Sequence, residues 1–389
     1  MAACPHAFLR ARRYPRWHKA IRVCRPQGRE FVTVLADQNV KTGETITLCC
    51  EVNTDDVEVT WKKDDQTLRC VEGKHTVSKT NKKCTLEITN AQPSDEGKYT
   101  INIENKTGSD SCSAIVRVEI KPWRDVTWDQ NKMFAKLEEF KICEKVPELR
   151  FLMVGPVGAG KSSSINTIKS VFEKRQFINC LGATSSETSL TLSFQRFGIP
   201  NKDRFFPFAF NKVMGLQQSG GGRTVDIINA MKGHIKEGYQ FNPTFPLSDD
   251  SKYYNRNPSL SDQIHCLIYV IPAEKIMMMP TEVTTKTKAI REEASKMGLP
   301  QVVFLTKIDC ICPLTKEDLQ KVYMSKKIRD RIHECSNIVG VPANNIFPLI
   351  NYSKETHINE KINCLMMDAL IQIINWANDY VKAKTETRA

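Results

Sequence analysis

The stretch Leu149–Ile168, LRFLMVGPVGAGKSSSINTI, constrains the fold of this chain more than any other. An apolar run, Phe151-Leu152-Met153-Val154, leads into Gly155-Pro156-Val157-Gly158-Ala159-Gly160-Lys161-Ser162 and then into a segment of helical character. This is G-x-x-x-x-G-K-S between a strand and a helix, the pattern of a phosphate-binding loop. The glycines let successive backbone N–H groups turn inward onto an anion, and the helix adds the positive end of its dipole. The candidate ligands are Gly155, Val157, Gly158, Ala159, Gly160, Lys161, Ser162 and Ser163. Lys161 is expected to reach the β- and γ-phosphates and Ser162 to give its hydroxyl to Mg²⁺.

At 389 residues the chain has room for two or three domains. The longest apolar run, Cys266–Ala273, is too short to span a bilayer. A net charge of +12 invites a nucleic-acid partner, but eight basic side chains and no acid fall within residues 1–29. The remainder is only mildly basic, so no nucleic-acid partner is expected. Residues 1–29 read as a basic, disordered extension, since Pro5, Pro15 and Pro26 interrupt any amphipathic helix and no apolar core of a signal peptide comes after the arginines. The 14 cysteines are scattered with no C-x-x-C pair. They are expected as reduced thiols in the cytoplasm.

Residues 30–120 alternate with period two in short runs: Thr45–Cys50, Val57–Trp61, Cys84–Ile88 and Tyr99–Ile103. That spacing predicts an antiparallel sandwich. Cys50, Trp61 and Asp95-Glu96-Gly97-Lys98-Tyr99 stand where an immunoglobulin fold has its second-strand Cys, its core Trp and its tyrosine corner. Ile101 occupies the place of the partner Cys, so the inter-sheet disulfide cannot form there and the isoleucine is expected to fill the space. The pattern resembles I-set domains of intracellular proteins such as the giant muscle proteins, which implies protein binding or spacing and no catalysis.

Residues 121–148 form a helical joint whose Trp123, Trp128, Met133, Phe134, Leu137 and Phe140 are expected to pack on the next domain. From 149 to 382 strands alternate with helices, with candidate strands at 149–154, 190–197, 206–210, 265–271, 301–306 and 346–350. The expected architecture is a three-layer α/β P-loop nucleotide-binding domain, with ligand contacts at the carboxyl ends of its strands. Residues 383–389 are read as a tail.

The strand at Gln301–Leu305 runs into Thr306-Lys307-Ile308-Asp309, the place of N/T-K-x-D in G proteins. A carboxylate there accepts two hydrogen bonds from guanine that adenine cannot supply. Thr306, Lys307 and Asp309 are therefore base-side candidates, and Tyr352 and Ser353 of Asn351-Tyr352-Ser353 fall where a further base loop belongs. For the γ-phosphate and metal, Gly182–Thr188 offers Thr184 or Thr188, with Thr184 the metal candidate. The D-x-x-G expected after the third strand reads Lys212-Val213-Met214-Gly215, with a cation where the Mg²⁺-water Asp belongs. Leu216 stands where a water-orienting Gln is expected, so hydrolysis should be slow, or absent without a partner. Gly220-Gly221-Gly222 is read as a mobile segment.

GPVGAGKSSS at Gly155–Ser164, the adjoining Ile165-Asn166-Thr167-Ile168, Tyr239-Gln240-Phe241-Asn242-Pro243, Trp123-Arg124, Trp128 and Ile264-His265-Cys266 resemble the interferon-induced protein 44 family over residues 120–382. The resemblance implies a cytoplasmic, interferon-responsive protein of antiviral defence that binds GTP or GDP with Mg²⁺. Lys212 departs from that family's D-x-M-G and weakens the case for a hydrolytic switch. The partners expected are a guanine nucleotide and a protein docked on the immunoglobulin-like domain, with nucleotide-dependent self-association beside them. Two other classes stay open: a non-catalytic adaptor with an empty loop, favoured by Lys212, and an ATP-using enzyme in which Thr306–Asp309 matches by chance.

Overall fold

The computed structural model describes residues 31–106, 108–177, 193–201 and 204–386. The basic extension and Thr184 lie outside them. Two compact units divide between Lys121 and Pro122.

In the first unit the period-two runs become strands: β1 Phe31–Thr33, β2 Gln38–Lys41, β3 Ile46–Val52, β4 Glu58–Lys63, β5 Gln66–Thr67, β6 His75–Thr80, β7 Lys83–Ile88, β8 Gly97–Asn105 and β9 Gly108–Glu119. They form two sheets, β1-β3-β7-β6 and β2-β9-β8-β4-β5. All neighbours are antiparallel except β2 and β9, which run parallel. Alternation along β3 buries Ile46, Leu48, Cys50 and Val52. These meet Trp61 and Ile101 in one core, and Ile101 lies opposite Trp61 on the neighbouring strand. The Tyr99 hydroxyl donates to the Asp95 carbonyl at 2.9 Å inside the protein, closing the corner before β8. Tyr99→Phe removes that donor and leaves the carbonyl buried without it. We expect a loss of about 1–2 kcal/mol from this unit, measured as a lower denaturant midpoint at unchanged slope.

The second unit opens with the joint. Within the joint the helical stripe forms α1 Gln130–Glu138, started by the Asp129 carboxylate accepting from the Lys132 N–H at 3.0 Å. Before it, Arg124 donates to the carbonyls of Ala343, Asn344 and Ile346 at 3.0–3.2 Å. Its guanidinium also lies over the rings of Trp123, Tyr323 and Phe347. The joint is thus fastened by an arginine as well as by its apolar stripe.

The sheet consists of β10 Leu149–Val154, β11 Gln195–Asn201, β12 Arg204–Lys212, β13 Cys266–Pro272, β14 Gln301–Thr306 and β15 Ile346–Pro348. Their order is β11-β12-β10-β13-β14-β15. Only β11 runs antiparallel. Of the strand expected at 190–197, residues 190–192 lie outside the described residues; β11 folds back on β12 with Gln195 opposite Lys212 and Asn201 opposite Arg204. Every residue of β13 is buried, as a central parallel strand requires. The helices are α2 Lys161–Glu173, α3 Thr224–Lys232, α4 Thr281–Lys296, α5 Pro313–Glu317, α6 Lys326–Val339 and α7 Glu360–Glu386. The last of these runs past residue 382, through most of the expected tail. Strand order reverses at β10, which has β12 on one side and β13 on the other. The crevice beyond β10 is where an open α/β sheet places its ligands.

Candidate functional site

The glycine loop leaves β10 through a position that only glycine can fill. A Cβ on Gly155 would stand 2.1 Å from the Val270 carbonyl oxygen of β13. Gly158 and Gly160 take positive φ, at 73° and 101°. The first-turn N–H groups of α2, which begins at Lys161, have no acceptor within the helix.

Both flanks of the loop are tied down. On one side Leu216 N–H donates to the Gly155 carbonyl at 3.1 Å and Val157 N–H to the Leu216 carbonyl at 3.3 Å. On the other, the Thr306 hydroxyl at the end of β14 donates to the Ala159 carbonyl at 2.7 Å. Asn351 Nδ2 donates to the Ser164 hydroxyl at 3.1 Å. Gly215 permits the close pass beside the loop, since a Cβ there would meet Val157 Cγ2 at 2.6 Å and Lys161 Nζ at 3.2 Å.

Two lysines converge here. Lys161 is buried and donates to the Gly155 and Pro156 carbonyls at 2.7 and 2.9 Å. Burial, with the charge of Lys212 beside it, pulls its pKa down to about 7. Lys212, the last residue of β12, pairs with Met153 of β10. Its ammonium donates to the Ser162 hydroxyl at 3.1 Å and lies over the Phe197 ring. Lys212 and Ser162 are 5% and 8% exposed.

The base-side candidates stand at the ends of β14 and β15. Thr306 is fully buried, and Lys307 adopts φ 59° with its ammonium on Glu274 at 3.0 Å. Asp309 and Ser353 line one cleft of about 840 Å³ with Thr315, Lys316, Leu319 and Ile350. Tyr352 does not join them. Its ring is buried and its hydroxyl donates to Asn363 at 2.7 Å on α7. Ser163, half-buried, stays on the first turn of α2.

Gly220-Gly221-Gly222, read from the sequence as a mobile segment, makes contacts on both sides here. Leu216 bridges Gly221, Gly222 N–H donates to the Gly215 carbonyl, and Lys286 of α4 donates to the Gln217 carbonyl at 2.8 Å. A Cβ on Gly221 would lie 2.6 Å from the Gly215 oxygen. The glycine serves a close approach. Sequence reasoning passed over Asn351 and Glu274 as contributors. Asn351 carried a signal, its place ahead of Tyr352-Ser353, while Glu274 carried none beyond its position just after β13.

Among the described residues no group of three or more His, Cys, Asp or Glu side chains could hold a metal ion, and no helix is long and apolar enough to cross a membrane. Residues 29–118 match the immunoglobulin I-set domain family. The titin M3 domain, a solved structure 26% identical, covers 23% of this chain and 96% of its own at a TM-score of 0.22. Mouse interferon-induced protein 44 is 29% identical over 239 residues, 61% of this chain and 56% of its own length. The human protein of the same name is 31% identical over 240 residues, 61% of this chain and 54% of its own. The chain thus spans about half the length of the curated relatives it matches. It carries an I-set immunoglobulin domain at residues 29–118 and, over three fifths of its length, is similar to interferon-induced protein 44.

Proposed function

We propose that the second unit is a P-loop domain that binds guanine nucleotide, GTP or GDP, in a cytoplasmic protein of the interferon-driven antiviral response, and that the I-set domain docks a protein partner. One observation carries the nucleotide reading. The Thr306 hydroxyl joins T-K-x-D to the glycine loop at Ala159, so the candidate base segment and the candidate phosphate loop are held in one frame. The position of the glycine loop beyond β10, where strand order reverses, supports the same reading, as does the cleft shared by Asp309 and Ser353. The interferon and antiviral parts rest on the relatives' name and on the resemblance of the motifs.

Turnover is slow or absent in this reading. Lys212 replaces the carboxylate of D-x-x-G, and Leu216 is buried and bridged to Pro156, where it cannot orient water. The donor set around Ser162 also does not fit Mg²⁺. A magnesium ion needs its oxygen ligands at about 2.0–2.1 Å, and the Ser162 oxygen already accepts from an ammonium.

Calorimetric titration of the purified chain with GTP, GDP and ATP tests the proposal. GTP and GDP should bind and ATP should bind far more weakly. Asp309→Asn removes an ionic acceptor worth about 1.5–3 kcal/mol, so guanine affinity should fall by about 10–100-fold while ATP affinity stays. Equal affinity for ATP and GTP would reject the base assignment. A second reading, an adaptor with an empty loop, is favoured by Lys161 resting on its own loop's carbonyls; binding of any nucleotide rejects it.

A further inference from the structure

A nucleotide polyphosphate carries several charges, and one lysine with a helix terminus leaves much of that charge uncompensated. The usual remedy is a divalent ion held by the hydroxyl next to the loop lysine. Here that hydroxyl, Ser162, accepts from Lys212 Nζ at 3.1 Å, and both residues are buried. Backbone pairing fixes the arrangement, because Lys212 ends β12 directly opposite Met153, two residues before the glycine loop begins. The Phe197 ring beneath the ammonium, 5.5 Å from it, gives a further hold. A dication on the same oxygen would face this ammonium in a site screened from water, where like charges repel strongly.

We infer that the Lys212 ammonium stands in for the divalent cation, so that this site takes the polyphosphate of a nucleotide without Mg²⁺. The inference rests on the nucleotide reading proposed for this unit. Lys161 and Lys212 then form a two-ammonium clamp, one from the loop and one from the neighbouring strand.

The test is equilibrium titration of the full chain with fluorescent GDP and GTP, in excess EDTA and in excess Mg²⁺. Wild-type affinity should differ by less than about threefold between the two conditions, and Mn²⁺ added to the complex should keep its free-ion electron paramagnetic resonance signal. Lys212→Asp should invert this behaviour, losing about tenfold or more in EDTA, recovering with Mg²⁺ and capturing Mn²⁺. Lys212→Met should bind weakly in both. Wild-type binding that is more than about tenfold tighter with Mg²⁺ overturns the inference and leaves nucleotide binding standing. No wild-type binding in either condition removes the nucleotide reading itself, and this inference with it. The wild-type comparison needs no variant to fold.

Discussion

Gly155→Ala is expected to destabilise the second unit by about 3 kcal/mol or more. The new methyl group would sit 2.1 Å from the Val270 carbonyl oxygen and 3.1 Å from its carbonyl carbon. Both atoms belong to the backbone of β13, a strand buried along its whole length between β10 and β14. A flexible side chain would swing aside; this neighbour moves only if the centre of the sheet moves. At about 2–4 °C per kcal/mol for a unit of this size, its thermal transition should fall by about 6–12 °C. Gly158→Ala is the internal control. It has φ 73° and nothing within 4 Å of the added carbon, so only the conformational penalty of about 1 kcal/mol applies. Equal transitions for the two variants in scanning calorimetry would show that β13 yields, and would discard the steric account.

Lys161→Met should separate affinity from stability. Loss of the charged phosphate contacts should weaken GTP and GDP by about 3 kcal/mol, about a hundredfold. The empty protein should be no less stable, and above all at low pH. Burial and Lys212 lower the Lys161 pKa to about 7, below its value of about 10.4 in an unfolded chain. The unfolded chain therefore holds more protons between those values, and empty wild-type protein loses stability as pH falls towards 7. The methionine variant escapes that loss. Phosphate binding reverses the sign, because the bound form keeps the lysine charged. Wild-type affinity should therefore decline as pH rises above about 7, and the variant's should not. A parallel pH profile for both would remove Lys161 from the phosphate contacts.

What the sequence disclosed was local. The glycine loop, T-K-x-D and the I-set landmarks are short strings whose chemistry is complete within a few residues. β10 and β14 match the ranges read from apolar runs, Leu149–Val154 and Gln301–Thr306. Edges were less legible. β12 extends to Arg204–Lys212, and β11 is set by a hairpin register that no run of apolar residues encodes. Contacts between distant residues were least legible of all. Lys212 stood out in the sequence only as a residue of the wrong charge, and nothing local says that it reaches Ser162, 50 residues earlier. Tyr352 was read from the position of its loop, but a ring that can be buried beside Asn363 has no reason to face the cleft.

The ties across the glycine loop also bear on the order in which the molecule is made. Ala159 waits for the hydroxyl of a residue 147 positions downstream, and the loop's helix turn for an amide 187 positions downstream. A ribosome will have released the whole I-set domain, through Glu119, long before either arrives. The first unit can therefore fold while the second is still a growing thread. In the second, the loop emerges early and is braced only once the segments that carry Thr306 and Asn351 have been made, so the glycine loop is among the last parts of its unit to be held in place.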